Sequence, residues 1–363
     1  MVRNPFKPMS GKLPPELIGR EEAISEFEEG LDNGPGSPGS LIRVSGIRGM
    51  GKTSLLREFG RLARERGMLV LNDTAGEGMC ARLVEQLSFA GHGELSGKIG
   101  LNMGVLSAEI GAERSMAVHL RNAVAAYLSH ARKGIFFAID EVQDASMDEM
   151  RELASAFQIL IGEDCEVYLA FAGLPSMVAN VVEGKTLTFL RRATPIELTR
   201  LSKHDVADSL RSTFDATGFS IEEDGLRQIV DDAGGYPYLI QLMGYHIWQE
   251  AYRRQRESQR RSIEVEDIVR GTERARERFR ETVIETALQR CAAGRLSYLR
   301  AMAAYDGGEV PVSFVGSRLG KSQAELSKPR RQLIDDGIIE SRERGMVSFT
   351  IPYLQDYLRK LDR

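Results

Sequence analysis

Cysteine is scarce, and its spacing argues against two common ways of stapling a fold. Cys80, Cys165 and Cys291 are the only three in 363 residues. No two of them stand as a CxxC pair, so neither a disulfide framework nor a zinc site is suggested. The five histidines show no ligand spacing either. Long apolar runs are also missing. No stretch approaches the roughly 20 residues of a membrane span, and residues 1–6 lack the apolar core of a signal peptide. A cytoplasmic location, with no membrane partner, is the expectation. A large excess of either charge is missing too, and the net charge of −4 gives no global pull toward nucleic acid. What remains, 42% hydrophobic and 28% charged, suits a globular chain long enough for two or three domains.

Against that plain background, Gly46-Ile47-Arg48-Gly49-Met50-Gly51-Lys52-Thr53 is a complete GxxxxGK[ST] phosphate loop. The apolar run Leu41-Ile42-Arg43-Val44 precedes it, and Ser54-Leu55-Leu56-Arg57-Glu58-Phe59 follows with a helical pattern. Glycines let backbone N–H groups turn inward around a phosphate, and the following helix aims its positive end at the same place. Lys52 is expected to reach the β- and γ-phosphates, and the Thr53 hydroxyl to sit on Mg²⁺. The ligand expected here is a nucleoside triphosphate.

A second motif points from binding toward hydrolysis. Gly134-Ile135-Phe136-Phe137-Ala138-Ile139 is nearly all apolar and ends in Asp140-Glu141. A parallel strand covered on both faces reads in this way. Asp140 is then placed to hold Mg²⁺, as in the Walker B arrangement. Glu141 is the candidate general base for the attacking water.

Strand and helix patterns alternate from residue 41 to residue 198, which argues for a parallel sheet in a three-layer α/β core over residues 1–201. A helix opening at Leu17-Ile18-Gly19-Arg20 precedes it. Residues 91–111 are glycine-rich with period-two apolar positions. They are read as an inserted strand or hairpin, either contacting a partner or without a specific role. Residues 202–280 are helical by pattern, with Gly234-Gly235-Tyr236-Pro237 at a helix–helix turn.

Residues 281–363 run helix, strand, helix, helix, hairpin, the order of a winged helix-turn-helix. Ser327 reads as an N-cap, with Pro329 in the first turn and Gly337 as the stop. Lys328, Arg330 and Arg331 would then open that helix against its macrodipole, which contact with DNA would explain. Arg342 and Arg344 would tip the wing. The segment holds 13 basic against 11 acidic residues, a net of +2, well short of a strongly basic domain.

The phosphate loop, Asp140-Glu141, the opening motif Gly19-Arg20-Glu21, Gly234-Gly235-Tyr236-Pro237 and this tail together resemble an AAA+-type (ASCE) P-loop NTPase. The branch resembled is that of the origin-initiator-like ATPases and the related signal-transduction (STAND) NTPases. The resemblance implies a helical lid and a C-terminal winged helix. It places Ile18, Gly19 and Arg20 beside the adenine, with Ser54 and Pro237 also at the nucleotide. Arg191 and Arg192 become candidates for an arginine finger. Two departures stand out. The fourth core strand ends Ala170-Phe171-Ala172-Gly173-Leu174, with no polar sensor, and Gly-Gly-Tyr-Pro replaces the second-sensor arginine. With fewer donors for the transition state, slow turnover is expected. Two outputs stay open: an ATP-controlled switch that binds double-stranded DNA, or a STAND-like switch that assembles with itself or another protein.

Overall fold

The computed structural model describes residues 3–9, 11–93, 115–131, 133–183, 188–258, 261–341 and 343–361. The chain divides into two compact units. One comprises Arg20–Ser45 and Leu55–Glu197; the other comprises Met1–Gly19, Gly46–Ser54 and Leu198–Arg363.

The first unit alternates helices and strands: α1 (Glu21–Asn33), β1 (Leu41–Ser45), α2 (Lys52–Glu65, entering this unit at Leu55), β2 (Leu69–Thr74) and α3 (Met79–Gly93). It continues with α4 (Met116–Ala131), β3 (Ile135–Asp140), α5 (Met147–Gly162), β4 (Val167–Gly173), α6 (Pro175–Glu183) and β5 (Thr194–Glu197). The five strands pair in parallel in the order β2-β3-β4-β1-β5. Every residue of β4, and every residue of β3 but the last, is buried. Successive residues of a strand point to opposite faces. Phe136 meets Phe27 of α1 at 4.9 Å between ring centroids, while Phe137 meets Phe157 of α5 at 4.9 Å. Helices therefore cover both faces, giving the expected three layers. Burying each such ring contributes about 1.5–3 kcal/mol.

Local signals set the helix ends. Ser146 caps α5 by accepting the Glu149 N–H at 3.1 Å. The Glu149 carboxylate accepts from the amides of Gly78 and Cys80 at the start of α3, at 2.9 and 3.0 Å. The first helix opens at Glu21 rather than at Leu17, because Gly19 turns the chain at φ +61°. The expected insertion at residues 91–111 falls outside the described residues, apart from the end of α3.

The second unit begins with an extended arm whose Phe6 is buried against Phe214, ring centroids 5.2 Å apart. The phosphate loop follows in this unit, then α7 (Lys203–Asp215), β6 (Ser220–Ile221), α8 (Glu223–Ala233), α9 (Pro237–Ser258), β7 (Ser262–Ile263) and α10 (Val265–Phe279). α9 and α10 approach closely at Gly271, where a Cβ would lie 2.6 Å from Ile247 Cα. Asp267 is buried in α10 and pairs with Arg254 at 2.8 Å. The helix widens to a π turn over Arg280–Glu285 before α11 (Thr286–Gln289).

Beyond lie α12 (Ala293–Ala303), β8 (Glu309–Pro311), α13 (Val312–Leu319), α14 (Gln323–Asp335), β9 (Ile339–Glu340), β10 (Met346–Phe349) and α15 (Leu354–Leu361). The last three strands form an antiparallel sheet in the order β8-β10-β9. One expectation is corrected here. Ser327 caps nothing; α14 starts five residues earlier than expected, at Gln323, where Ser322 and Glu325 form a reciprocal capping box. Pro329 lies inside the helix, so Lys328, Arg330 and Arg331 belong to its middle and later turns rather than its N-terminus.

Candidate functional site: the phosphate loop and the acidic strand end

The loop after β1 has the backbone that its glycines permit. Gly49 and Gly51 stand at φ +77° and +94°, a region that side chains with a Cβ rarely adopt. Lys52 is the first residue of α2, so the amides of Lys52, Thr53 and Ser54 lie in the first turn, where helical N–H groups lack intrahelical acceptors. The Lys52 side chain is buried and its ammonium donates to the carbonyls of Gly46 at 2.8 Å and Ile47 at 3.2 Å. That folds the charge over the loop. Met50 is buried, while Arg48 is exposed. A helix N-terminus and a buried lysine charge beside it are features that suit a polyphosphate.

Tyr236, read in the sequence only as part of the Gly-Gly-Tyr-Pro turn, secures this loop. The Tyr236 hydroxyl donates to the Arg48 carbonyl, and the Tyr238 N–H donates to the Gly49 carbonyl at 3.3 Å. A Cβ on Gly49 would lie 2.6 Å from the Tyr236 hydroxyl. Burial pushes the Tyr236 hydroxyl up from its ordinary pKa, so it stays protonated and donating at neutral pH. Tyr236 reaches the loop because Gly234 and Gly235 both take positive φ, at +55° and +70°. At Gly235 a Cβ would sit 2.3 Å from the Leu201 carbonyl. Pro237 is the first residue of α9 and half-buried. Ile18 and Gly19 form a turn beside α7, and a Cβ on Gly19 would meet Leu201 Cδ2 at 2.9 Å.

In the other unit, Asp140 ends β3 at the same sheet edge as the carboxyl end of β1, since all five strands run in parallel. The Glu141 N–H donates to Asp140 Oδ1 at 2.9 Å. Glu141 itself takes φ +54°, unusual for a residue with a side chain and a mark of local strain. Its carboxylate accepts a hydrogen bond from the Gln143 side-chain amide. Gln143 was missed, although an acid pair followed two residues later by an amide was there to be read.

Arg20 is half-buried ahead of α1, and burial lowers its guanidinium, with neighbouring Glu21 opposing. Arg191 and Arg192 lie exposed on a single 3₁₀ turn, Leu190–Arg192. Arg191 donates to the Val182 carbonyl at 2.7 Å. Among the DNA candidates, Lys328 and Arg331 are exposed on α14 and Arg330 is half-buried. Arg344 is exposed beside β10; Arg342 lies outside the described residues. The described residues contain no cluster of three or more His, Cys, Asp or Glu able to hold a metal. Thr53 and Asp140 offer a hydroxyl and a carboxylate oxygen. Such hard donors suit Mg²⁺, which is typically held by one or two protein groups together with substrate phosphates.

Residues 16–161 match the AAA ATPase domain family, and residues 281–358 match a domain of unknown function (DUF8462). The phosphate-loop sequence, the acidic pair and a parallel sheet in the order β2-β3-β4-β1-β5 agree with that match: residues 16–161 carry an ATPase domain of the AAA type, and the chain is an ATPase that binds ATP. Its fold is that of the archaeal origin-recognition and Cdc6-like ATPases. A Walker-type ATPase of Pyrococcus abyssi superposes with a TM-score of 0.69 at 19% identity, over 97% of this chain and 100% of that one. The Aeropyrum pernix ORC2 protein in ADPNP–ADP complexes gives 0.65 at 14% identity, covering 98% and 95%. Cdc6p from Pyrobaculum aerophilum gives 0.52 at 16%, covering 98% and 97%. No curated protein matches the sequence. No helix among the described residues is long and apolar enough to cross a membrane.

Proposed function

We propose that this chain is a slow, nucleotide-controlled switch in which ATP binding and hydrolysis set the state of a C-terminal winged-helix module. The observation that carries this reading is a run of hydrogen bonds inside the second unit. The phosphate loop rests on Tyr236; the adjoining glycine turn is held by Arg200, which donates to the carbonyls of Gly234 at 3.2 Å and Thr350 at 3.1 Å. Tyr353 in turn donates to the Asp232 carbonyl. A change in the loop therefore has a bonded route to the C-terminal segment.

In this reading Gly46, Ile47, Arg48, Gly49, Met50, Gly51, Lys52, Thr53 and Ser54 cradle the phosphates, and Ile18, Gly19, Arg20 and Pro237 flank the base. Thr53 and Asp140 hold Mg²⁺, which would supply charge neutralisation at the transferring phosphoryl group. Glu141 takes the proton of the attacking water, and Arg191 or Arg192 stabilises the developing charge. The domains are residues 1–201, 202–280 and 281–363. Double-stranded DNA is the partner favoured, through Lys328, Arg330, Arg331, Arg342 and Arg344, because Lys328 and Arg331 stand exposed on α14. The +2 net charge of the segment limits that support. The alternative is nucleotide-dependent assembly with itself or with another protein. It is favoured by the tyrosine-bearing turn against the loop, where origin-initiator ATPases carry an arginine.

ATP turnover with and without duplex DNA, alongside sizing in ATP and in ADP, decides between the two. Turnover raised by DNA, with salt-sensitive binding lost in the Arg330→Ala/Arg331→Ala variant, supports the DNA output. ATP-dependent assembly indifferent to DNA supports the other.

A further inference from the structure

The fourth strand of the core ends without a polar side chain, yet the space beside it holds a side-chain amide. β4 closes on Ala172-Gly173, and Gln143 lies against this end from the turn that follows β3. Its Oε1 is aligned with the Leu174 N–H at 3.4 Å, while its Nε2 donates to the Glu141 carboxylate. Gly173 makes the room. A Cβ there would lie 3.1 Å from Gln143 Oε1 and 2.6 Å from Val142 Cγ2. A glutamine amide has one acceptor and one donor end, and here each end meets a partner that the other could not serve.

The geometry points to Gln143 as the positioning residue of the hydrolytic carboxylate. It bridges the Glu141 side chain to the backbone at the end of β4 and fixes its orientation. This rests on Glu141 being the general base. The bridge also accounts for the bare end of β4, because a side chain at position 173 would displace the amide. Glu141 stands on strained backbone with φ +54°. A carboxylate there gains from an external tether, since catalysis falls steeply with misplacement of the reacting group.

The test compares Gln143→Leu, Gly173→Ala, the double variant and Glu141→Gln in the full chain, by steady-state ATP turnover and by equilibrium binding of a fluorescent ATP analogue. Gln143→Leu keeps the volume and removes both hydrogen bonds. It is expected to lower kcat by about tenfold or more while analogue affinity stays within about twofold. Gly173→Ala, pushing the amide aside, should lower kcat similarly, and the double variant should add less than about twofold to either. Circular dichroism melting confirms that each variant is folded. If Gly173→Ala fails to fold, Gln143→Leu decides alone. Wild-type or raised kcat in Gln143→Leu, with Glu141→Gln inactive, overturns the positioning role and leaves the base intact. Wild-type turnover in Glu141→Gln removes the base, and the positioning role with it.

Discussion

Gly49 is constrained twice over: by its own backbone at φ +77° and by the Tyr236 hydroxyl that occupies the place of a side chain. Either constraint alone disfavours a Cβ. Forcing alanine into that backbone costs about 1–3 kcal/mol, and losing the buried tyrosine hydrogen bond about 0.5–1.5 kcal/mol more. Gly49→Ala should therefore lower the melting midpoint and weaken ATP binding several-fold, as read by thermal melting and titration calorimetry. An unchanged midpoint would mean that Tyr236 moves away at no cost. Lys52→Ala removes a buried ammonium that donates to the carbonyls of Gly46 and Ile47. It should abolish measurable ATP binding in the same titration. Gly46, Lys52 and Thr53 were legible from spacing alone, because a phosphate loop is a local object and its residues are neighbours in sequence. Tyr236 was not, because its partner Arg48 is 188 positions away. Nothing in a helix–helix turn announces so distant a contact.

Elements show the same division between local and distant causes. The strands of the core were readable because burial on both faces leaves continuous apolar runs, as in Ile135-Phe136-Phe137-Ala138-Ile139. The start of α14 was misplaced because two serines compete as caps, and the proline after Ser327 made the later one attractive. Ser322 prevails because Glu325 lies three residues on and returns the hydrogen bond. Ser322→Ala should cost about 1 kcal/mol. Pro329→Ala should stabilise the helix by restoring an interior N–H. Opposite shifts in melting midpoint are expected, and a loss on Pro329→Ala would show that the proline sets a needed bend. Helix α9 carries a pH-sensitive element. His246 is half-buried, and its Nδ1 has no hydrogen-bond partner. Burial lowers its pKa; Arg274, Arg253 and Arg278 push the same way, and Glu250 opposes them. With the folded value below the unfolded one, the unfolded state binds more protons, so stability rises with pH. The contribution is whole above roughly pH 6.5 and is lost as pH falls through the folded value. His246→Gln should flatten the dependence of the melting midpoint between about pH 7 and pH 5. An unaltered slope would assign the effect to other groups.

At the scale of the second unit, the hydrogen bonds from loop to tail form one continuous path. Arg276 lies over the Tyr353 ring at 4.8 Å and pairs with Asp232 at 2.7 Å, so Tyr353 is gripped on its face as well as at its hydroxyl. Tyr353 also takes φ +62°, a backbone state that persists where surrounding contacts over-determine it. Thr350, three residues earlier in the chain, is buried and donates its hydroxyl back to the carbonyls of Gly337 and Ile338. A path of this kind transmits a signal only if its members have two arrangements that nucleotide favours differently. Hydrogen exchange reads that directly. Amides from residue 338 to residue 358 should exchange at different rates in ATP and in ADP, with Glu141→Gln used to hold the ATP state. Tyr353→Phe removes only the hydroxyl contact to Asp232, and Arg200→Ala removes the bridge between Gly234 and Thr350. Each should shrink the ATP–ADP difference in the tail while leaving ATP affinity within about twofold, because neither residue belongs to the phosphate loop. A difference that persists undiminished in both variants would show that the tail responds by another route, or that these bonds only hold the unit together.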